Sequence, residues 1–138
     1  GDGPLRAALE ERVAQAGLTN AVRFTGSLDS PAVSDAFAQA RLFLLPTQGD
    51  NFCVVAAEAL MHGRPVISGA ATGAVDYADP TVSEFVADQH GSAYAAAVCA
   101  LVQRTSALTS AQIAETVEGR FSPERVNALL SEIYVDAT

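Results

Sequence analysis

The chain has 138 residues, enough for one globular domain, and 49% of them are hydrophobic, which indicates a folded chain with a proper core. Its formal net charge is −8, and all eight basic residues are arginines. We therefore expect no nucleic-acid partner, because phosphates are repelled, and the lack of lysine excludes a P-loop or a Schiff-base site.

Short apolar runs alternate with helical patterns along the whole chain. In chain order, the predicted elements are a helix over 5–16, a strand over 21–25, a helix from Ser30, a strand over 42–45, a helix from 52 or 53 to 61, a strand over 65–67, a strand over 83–87, and helices over 92–104, 109–118 and 121–134. The run at 42–45 is continuously apolar, which is typical of a strand buried on both faces. This alternation predicts an α/β fold, a Rossmann-like parallel sheet with helices on both faces.

The cysteines and the hydropathy pattern indicate the cellular compartment of the protein. Cys53 and Cys99 lie far apart, form no CxxC pair and are expected to be small buried residues, so no disulfide framework is indicated. No apolar run approaches the roughly 20 residues of a membrane-spanning helix, and no signal peptide is recognisable. The sequence therefore predicts a cytoplasmic protein without a membrane span.

The segment over 46–60 holds the candidate functional residues. It follows the end of a predicted strand, where parallel sheets bind ligands, and it leads into a helix whose dipole favours an anion. We expect the amides of Asn51, Phe52 and Cys53 to be free at this helix start. The segment is thus predicted to contact an anionic or hydroxyl-rich ligand.

Two carboxylates in this segment, those of Asp50 and Glu58, are suited to accept hydrogen bonds from vicinal sugar hydroxyls. Glu58 is the only charged residue between Asp50 and Arg64, and its neighbours are Ala and Leu, which is unusual for a solvent-facing helix surface. The alternative interpretation is structural: Asp50 caps the helix and Glu58 is a solvated helix residue. The residue pattern alone leaves both interpretations open.

Several motifs, in matching order and spacing, resemble the donor-binding domain of retaining GT-B glycosyltransferases, in particular glycosyltransferase family 4. These motifs are Gly1-Asp2-Gly3-Pro4, Val22-Arg23-Phe24-Thr25-Gly26, Pro46-Thr47, the acidic-x7-Glu segment over 50–58, Gly63-Arg64-Pro65-Val66-Ile67 and Phe121-Ser122. The resemblance implies that residues 1–138 are a single nucleotide-sugar-binding domain. It would be the C-terminal half of a GT-B fold, truncated at its N-terminus and lacking its first strand or strands.

The resemblance also implies a role for each matching position. Asp50 would be the catalytic residue that contacts the transferred sugar, and Glu58 would bind the ribose hydroxyls of the donor nucleotide. The loop over 51–53 would contact the sugar and the diphosphate, and Gly3 would lie near the base. The donor would be a nucleotide-diphosphate sugar, with no cofactor and no metal ion, because helix dipoles and basic side chains neutralise the leaving diphosphate in such enzymes.

The chain departs from the family at positions that affect this site. Asn51 and Cys53 stand where the family has glycines, and we expect them to limit positive-φ conformations and close backbone approach. The basic residues that hold the diphosphate, and the N-terminal acceptor domain, lie upstream of Gly1 in the family. We therefore expect a fragment that is inactive alone and needs the acceptor domain as its partner. The alternative is a degenerate, non-catalytic nucleotide- or sugar-binding or interaction module.

The missing first strand has a further consequence for assembly. An exposed sheet edge at the Val22 strand or the Leu42 strand would invite pairing with a second chain, so a homodimer through that edge is expected. An unrelated Rossmann-like dinucleotide binder is a weaker alternative, because Gly1-Asp2-Gly3-Pro4 does not match the G-x-G-x-x-G fingerprint.

Overall fold

The computed structural model describes residues 1–122, 124, 125 and 127, and within them the chain divides into two compact units, Gly1–Ala36 and the part from Phe37 onward. The described helices are α1 (Arg6–Gln15), α2 (Ser30–Gln39), α3 (Val54–Met61), α4 (Gly91–Arg104) and α5 (Ser110–Glu115). The described strands are β1 (Phe43–Leu45), β2 (Val66–Gly69) and β3 (Ser83–Val86), and a 3-10 turn, Gly73–Asp76, lies between β2 and β3.

The first unit is organised by contacts between its first residues and a later loop. The ammonium group of Gly1 donates to the carbonyl of Gly26 at 2.8 Å, and the Asp2 carboxylate accepts from the Ser27 amide at 2.8 Å. The Ser27 amide, and after it the Arg6 side chain, hold the pKa of Asp2 below its usual value. The turn over 1–3 and the loop over 26–27 are therefore joined.

The strand expected over 21–25 is not formed, so this prediction is wrong. Val22 and Phe24 alternate with polar residues as they would in a strand, but residues 22–26 pair with no strand in the described part of the chain. A strand is completed by ladder hydrogen bonds to a neighbour, which a local pattern cannot supply. The segment instead ends at Gly26 with φ of +71°.

The second unit contains a parallel sheet in the order β1-β2-β3. Phe43 pairs with Val66, and Val66 pairs with Ser83, so the three strands are in close register. Their carboxyl ends consequently meet at one edge of the sheet. The predicted α/β fold with a parallel, Rossmann-like sheet is confirmed.

Helices cover the sheet, and their packing follows the alternation of side chains along β2. One apolar cluster joins α4 to the strands: Ile67, Val86, Tyr94, Ala97 and Leu101. The side chains of Val66 and Ser68 alternate with that of Ile67 and therefore point to the opposite face of the strand, which α3 covers. The buried residues of α3 are mostly alanines, and such small side chains allow close packing of a helix on a sheet.

β1 lies at an edge of the described sheet, and this position exposes part of it. Leu44 is 41% exposed, and Phe43 and Leu45 are only partly buried. The expectation of a strand buried on both faces is therefore wrong, because β2 is the only neighbour of β1 among the described strands. This edge is the Leu42 strand edge at which a homodimer is expected, and that homodimer stays a prediction.

Two arginines hold the amino ends of the strands. The Arg64 Nη1 donates to the Ala40 carbonyl, shortly before β1, at 2.9 Å. The Arg104 Nη2 donates to the Ser83 carbonyl, at the start of β3, at 2.9 Å, and it forms an ion pair with Glu84 at 2.8 Å. The amino edge of the sheet is thus fixed by side chains that bind backbone carbonyls.

α3 ends at Met61, as the sequence predicts, and Gly63 follows two residues later. The amides of Gly63 and Arg64 donate to the carbonyls of Leu60 and Ala59, which is the Schellman arrangement, and Gly63 has φ of +70°. A Cβ atom at Gly63 would also lie 2.3 Å from the Ser110 carbonyl oxygen. Glycine is therefore required here both for its backbone conformation and for the close approach of α5.

The last helices differ in how far they are described. α5 begins at a capping box in which Thr109 and Gln112 bind each other's backbone amides, which confirms a helix start at this point. Of the predicted helix over 121–134, residues 121, 122, 124, 125 and 127 are described, and the last three of these are helical; the rest lies outside the described residues. Among the helices that are described, none is long and apolar enough to cross a membrane.

The two cysteines differ in exposure. Cys53 is buried, as expected, whereas Cys99 is exposed on α4, so the expectation for Cys99 is wrong. Its neighbours at 95, 96 and 100 are alanines and are exposed as well. A helix rich in alanine gives little indication of which face is buried, because alanine is tolerated in both environments.

Candidate functional site

The loop after β1 and the loop after β2 run side by side at the carboxyl edge of the sheet. The Asp50 amide donates to the Ala71 carbonyl at 3.1 Å, and the Gly73 amide donates to the Asp50 carbonyl at 3.0 Å. Asp50 and Thr72 therefore form a parallel bridge beyond the ends of β1 and β2. The backbone of Asp50 is fixed on both sides, while its side chain is exposed.

Two glycines allow these loops to lie so close together. A Cβ atom at Gly69 would lie 1.9 Å from the Thr47 carbonyl oxygen, and one at Gly73 would lie 2.0 Å from the Asn51 carbonyl oxygen. Both obstacles are backbone atoms, which have little freedom to move away. The sequence analysis did not assign this role, because the partner of each glycine is about twenty residues away along the chain.

The buried hydroxyls beside these glycines stabilise the loop after β2. The Ser68 Oγ donates to the Gly69 carbonyl at 3.1 Å, and the Thr72 Oγ1 donates to the same carbonyl at 3.3 Å. The two hydroxyl oxygens also lie 3.3 Å apart, so the two side chains are in direct contact. These side chains fix the turn from within.

The side chain of Asp50 binds the start of the next helix. Its Oδ1 accepts from the Cys53 amide at 2.5 Å. The expectation that the Cys53 amide is free is therefore wrong. The amides of Asn51 and Phe52 donate to no acceptor within the described part of the chain. Cys53 is itself the N-cap residue of α3, so Asp50 is not the helix cap that the structural interpretation assumed. The second carboxylate oxygen of Asp50 has no partner among the described residues.

Cys53 adopts the left-handed conformation, with φ of 61° and ψ of 56°. A cysteine in place of glycine is expected to limit positive φ, and that expectation is wrong here. The conformation costs an L-residue about 1–2 kcal/mol, and it persists when surrounding contacts fix it. Cys53 thus retains the backbone shape that a glycine would give at this position.

Tyr77, which the sequence analysis did not single out, contacts the same loop from the other side. Its hydroxyl donates to the Cys53 carbonyl at 2.7 Å, and its side chain is buried. Its ring lies 5.2 Å from the ring of Phe52 and 5.2 Å from that of Phe121, measured between centroids. The sequence shows only a tyrosine just after a glycine-rich loop, and no neighbouring residue indicates that its hydroxyl binds Cys53.

Burial sets the protonation of the groups at this contact. It raises the pKa of Tyr77 to about 12, and it also raises the pKa of the Cys53 thiol. At neutral pH the Tyr77 hydroxyl is therefore a hydrogen-bond donor. The Cys53 thiol is protonated and is not an activated nucleophile.

The shifted pKa of Tyr77 predicts a dependence of stability on alkaline pH. An unfolded tyrosine has a pKa of about 10, so the unfolded chain loses this proton first as the pH rises. The stabilisation is fully present below pH 10 and is lost as the pH rises through about 12. We expect the free energy of unfolding, measured by urea denaturation between about pH 9 and 12, to fall more steeply for the wild type than for Tyr77→Phe. Equal slopes for the two proteins would refute this expectation.

Glu58 lies on α3, where its side chain is half-buried. No hydrogen bond or ion pair to its carboxylate occurs among the residues that the structure describes. Being half-buried, this carboxylate is less hydrated than an exposed one, and both of its oxygens can accept hydrogen bonds from a ligand. Its surroundings therefore differ from those of a fully solvated helix residue.

Gly3 belongs to the first unit, directly before α1, and it is exposed. Its carbonyl accepts from the Arg6 amide at 3.0 Å. The contacts of Gly1 and Asp2 with the loop over 26–27 fix the turn that holds Gly3, the residue that the family resemblance places near the base.

The second unit brings the other candidates onto one loop and the helix that follows it. Asp50 and residues 51–53 form the loop, and Glu58 lies in the second turn of α3. Over the described residues, no three His, Cys, Asp or Glu side chains come together as a metal site would need. The arrangement offers hydrogen-bond acceptors for hydroxyl groups and backbone donors for an anion.

Comparison with known proteins identifies the family of the chain. The family model described as "Glycosyl transferases group 1" matches residues 1–104. A 2-deoxystreptamine N-acetyl-D-glucosaminyltransferase of Niallia circulans is 43% identical over 68 residues, which is 49% of this chain and 18% of that protein. A 2-deoxystreptamine glucosyltransferase of Streptomyces kanamyceticus is 36% identical over 76 residues, which is 55% of this chain and 20% of that protein.

A third relative matches almost the whole chain. A D-inositol 3-phosphate glycosyltransferase of Salinispora arenicola is 30% identical over 131 residues, which is 94% of this chain and 29% of that protein. The chain thus spans less than a third of the length of each of these relatives. Its parallel sheet, the paired loops at the carboxyl edge and the match over residues 1–104 lead to one conclusion. The chain belongs to the family of glycosyl transferases group 1.

Proposed function

We propose that residues 1–138 act as the donor-binding domain of a retaining glycosyltransferase that takes a sugar from a nucleotide diphosphate. The observation that carries this proposal is the half-buried Glu58 carboxylate, which no described residue binds. It follows a loop whose backbone is fixed at the carboxyl edge of a parallel sheet, where such folds bind ligands. In this proposal, Glu58 accepts hydrogen bonds from both ribose hydroxyls of the donor nucleotide.

The loop before α3 supplies the contacts to the sugar and the diphosphate. The unpaired amides of Asn51 and Phe52 donate to an oxygen of the donor, supported by the dipole of α3. Asp50 contacts the transferred sugar and positions its anomeric carbon. Because Oδ1 of Asp50 binds the Cys53 amide, the second carboxylate oxygen takes this role. Cys53 contributes through its backbone shape rather than through a free amide.

The non-catalytic alternative loses one of its supports. It was motivated by the side chains that replace two glycines, at Asn51 and Cys53. Since Cys53 adopts the left-handed conformation in spite of its side chain, the replacement of glycine at this position does not prevent a positive φ. The donor-binding proposal is therefore preferred to a degenerate module of the same fold.

The proposal extends to partners and location. The chain covers less than a third of each relative, so we infer that an acceptor-binding domain completes the active protein. Basic groups from outside the chain would neutralise the diphosphate, since this chain carries a net charge of −8. A cytoplasmic location and a homodimer through the β1 edge belong to the same proposal.

Calorimetric titration with UDP, GDP and ADP, and with the glucose conjugate of each, tests donor binding directly. We expect one base to bind at least about tenfold more tightly than the others, because a donor site contacts the base as well as the ribose. The same titration with inorganic diphosphate separates nucleotide recognition from simple attraction of an anion. If no nucleotide binds more tightly than diphosphate, the proposal is wrong.

A second experiment addresses turnover. We expect the isolated chain to show neither sugar transfer nor donor hydrolysis, because in this proposal the cations for the diphosphate and the acceptor site are supplied by another domain. Mass spectrometry of each nucleotide sugar after overnight incubation measures both reactions. The full-length Salinispora arenicola relative, with its own substrates, provides the positive control. Turnover by the pure chain would show that its own residues suffice for the chemistry.

A further inference from the structure

Cys53 is the residue at which the binding loop departs from ordinary backbone geometry. It is the only residue other than glycine with positive φ among those that the structure describes. Three hydrogen bonds converge on its two peptide groups. Its amide donates to the Asp50 carboxylate at 2.5 Å, and its carbonyl accepts from the Tyr77 hydroxyl at 2.7 Å and from the Ala56 amide at 2.9 Å.

Of the three residues that bind Cys53, only Tyr77 lies outside both the loop and the helix that continues it. Asp50 lies in the loop itself, and Ala56 lies in the first turn of α3. Tyr77 follows the 3-10 turn Gly73–Asp76, which belongs to the neighbouring loop. An L-residue remains left-handed when the surrounding structure over-determines its conformation, and the Tyr77 hydroxyl provides such a constraint from outside the loop.

We propose that Tyr77 is a positioning residue for donor binding. Its hydroxyl donates to the Cys53 carbonyl, holds Cys53 in the left-handed conformation and so orients the loop over 50–53. This inference rests on the proposed function for its effect on binding. With Cys53 held, the Asp50 carboxylate stays aligned on the Cys53 amide. The unpaired amides of Asn51 and Phe52, which precede Cys53 directly, stay directed at the site of the donor oxygens.

The role assigned to the hydroxyl can be separated from that of the ring. The Tyr77 ring packs on the rings of Phe52 and Phe121, and a phenylalanine keeps those contacts. Tyr77→Phe therefore removes the hydrogen bond to Cys53 alone. Cys53→Gly removes the strain that the hydrogen bond counteracts, because glycine adopts positive φ without a steric penalty.

The test is a double-mutant cycle of Tyr77→Phe and Cys53→Gly, measured as affinity for UDP, GDP and ADP with the full chain. We expect Tyr77→Phe to weaken binding by about fivefold, the equivalent of one hydrogen bond of ordinary strength. In the Cys53→Gly background, the same substitution is expected to change the affinity by less than about twofold. This rescue is the result that a merely structural hydroxyl would not produce.

Tyr94→Phe provides the matched control. Tyr94 is also buried, and its hydroxyl donates to Gln89 Oε1 at 2.9 Å, away from α3. We expect its loss to leave nucleotide affinity unchanged and to show no interaction with Cys53→Gly. If Tyr77→Phe weakens binding by the same factor in both backgrounds, or if Tyr94→Phe behaves like it, the positioning role is refuted.

A parallel cycle of unfolding midpoints separates this inference from the proposed function. If the wild type binds none of the nucleotides, the proposed function fails, and the positioning role in binding fails with it. The effect of the hydrogen bond between Tyr77 and Cys53 is then tested by the unfolding midpoints alone. Tyr77→Phe should lower the midpoint in the wild-type background and lower it much less in the Cys53→Gly background. Additive losses would show that the hydroxyl does not hold Cys53 in its conformation.

Discussion

Replacing Glu58 with glutamine is expected to weaken nucleotide binding by about tenfold or more, because charge-assisted hydrogen bonds contribute roughly 1.5–3 kcal/mol. The amide of glutamine keeps the size of the side chain but removes the charge that two ribose hydroxyls would share. The free energy of unfolding should barely change, since no described group depends on this carboxylate. Calorimetric titration with the preferred nucleotide and urea denaturation measure the two quantities.

Two controls make this prediction specific. A 2′,3′-dideoxy nucleotide lacks both hydroxyls, so its affinity should be insensitive to Glu58→Gln. Glu115→Gln makes the same chemical change at an exposed position on α5 and should leave binding unaltered. Normal affinity of Glu58→Gln for the ordinary nucleotide would contradict the role of Glu58 at its strongest point. The structural interpretation of this residue would then stand.

Replacing Gly73 with alanine is expected to destabilise the fold by about 1–3 kcal/mol and to weaken nucleotide binding as well. The new Cβ atom would lie 2.0 Å from the Asn51 carbonyl oxygen and 3.1 Å from the Phe52 Cα. Because both neighbours are backbone atoms, the loop over 50–53 must move away from the loop after β2. That movement breaks the bridge between Asp50 and Thr72, on which the alignment of the site depends.

Gly91→Ala is the matched control for this substitution. Gly91 begins α4, and a Cβ atom there would meet nothing within 4 Å. Alanine favours a helix over glycine, so stability should stay the same or rise slightly. Thermal unfolding and nucleotide titration of both variants give the comparison. If Gly73→Ala unfolds and binds like Gly91→Ala, the two loops are not as tightly packed as the structure indicates.

Local patterns in the sequence predict most of the fold. Helices α3 and α4 begin and end close to the predicted positions, and α5 begins at its predicted capping residue but ends at Glu115, before the predicted residue 118. The cap at Thr109 and the glycine after α3 act within a few residues of the helix ends, so a local pattern can show them. The failure at Val22 and the partial exposure of Leu44 have a common cause. Whether an apolar run becomes a strand, and how deeply it is buried, depends on neighbours elsewhere in the chain.

The candidate site also has features that a local pattern predicts and features that depend on residues elsewhere in the chain. The positions of Asp50 and Glu58 follow from their spacing in one segment, whereas the contacts that shape the loop come from Gly73 and Tyr77. The left-handed conformation of Cys53 could not be predicted, because intrinsic preference disfavours it and tertiary contacts hold it. Residues that shape a site through the backbone leave little trace in a motif.

The two edges of the sheet carry different constraints, and this affects how such a domain can diversify. At the amino edge, Arg64 and Arg104 bind backbone carbonyls, and Gly63 admits no side chain beside Ser110. At the carboxyl edge, the exposed side chains of the loop over 47–53 leave those contacts untouched. Substitutions can therefore accumulate at the exposed positions of this loop without disturbing the amino edge. Gly69 and Gly73, at the same carboxyl edge, have no such freedom, because a side chain at either would meet a backbone carbonyl. Fixed glycines and variable exposed positions thus lie side by side at this edge.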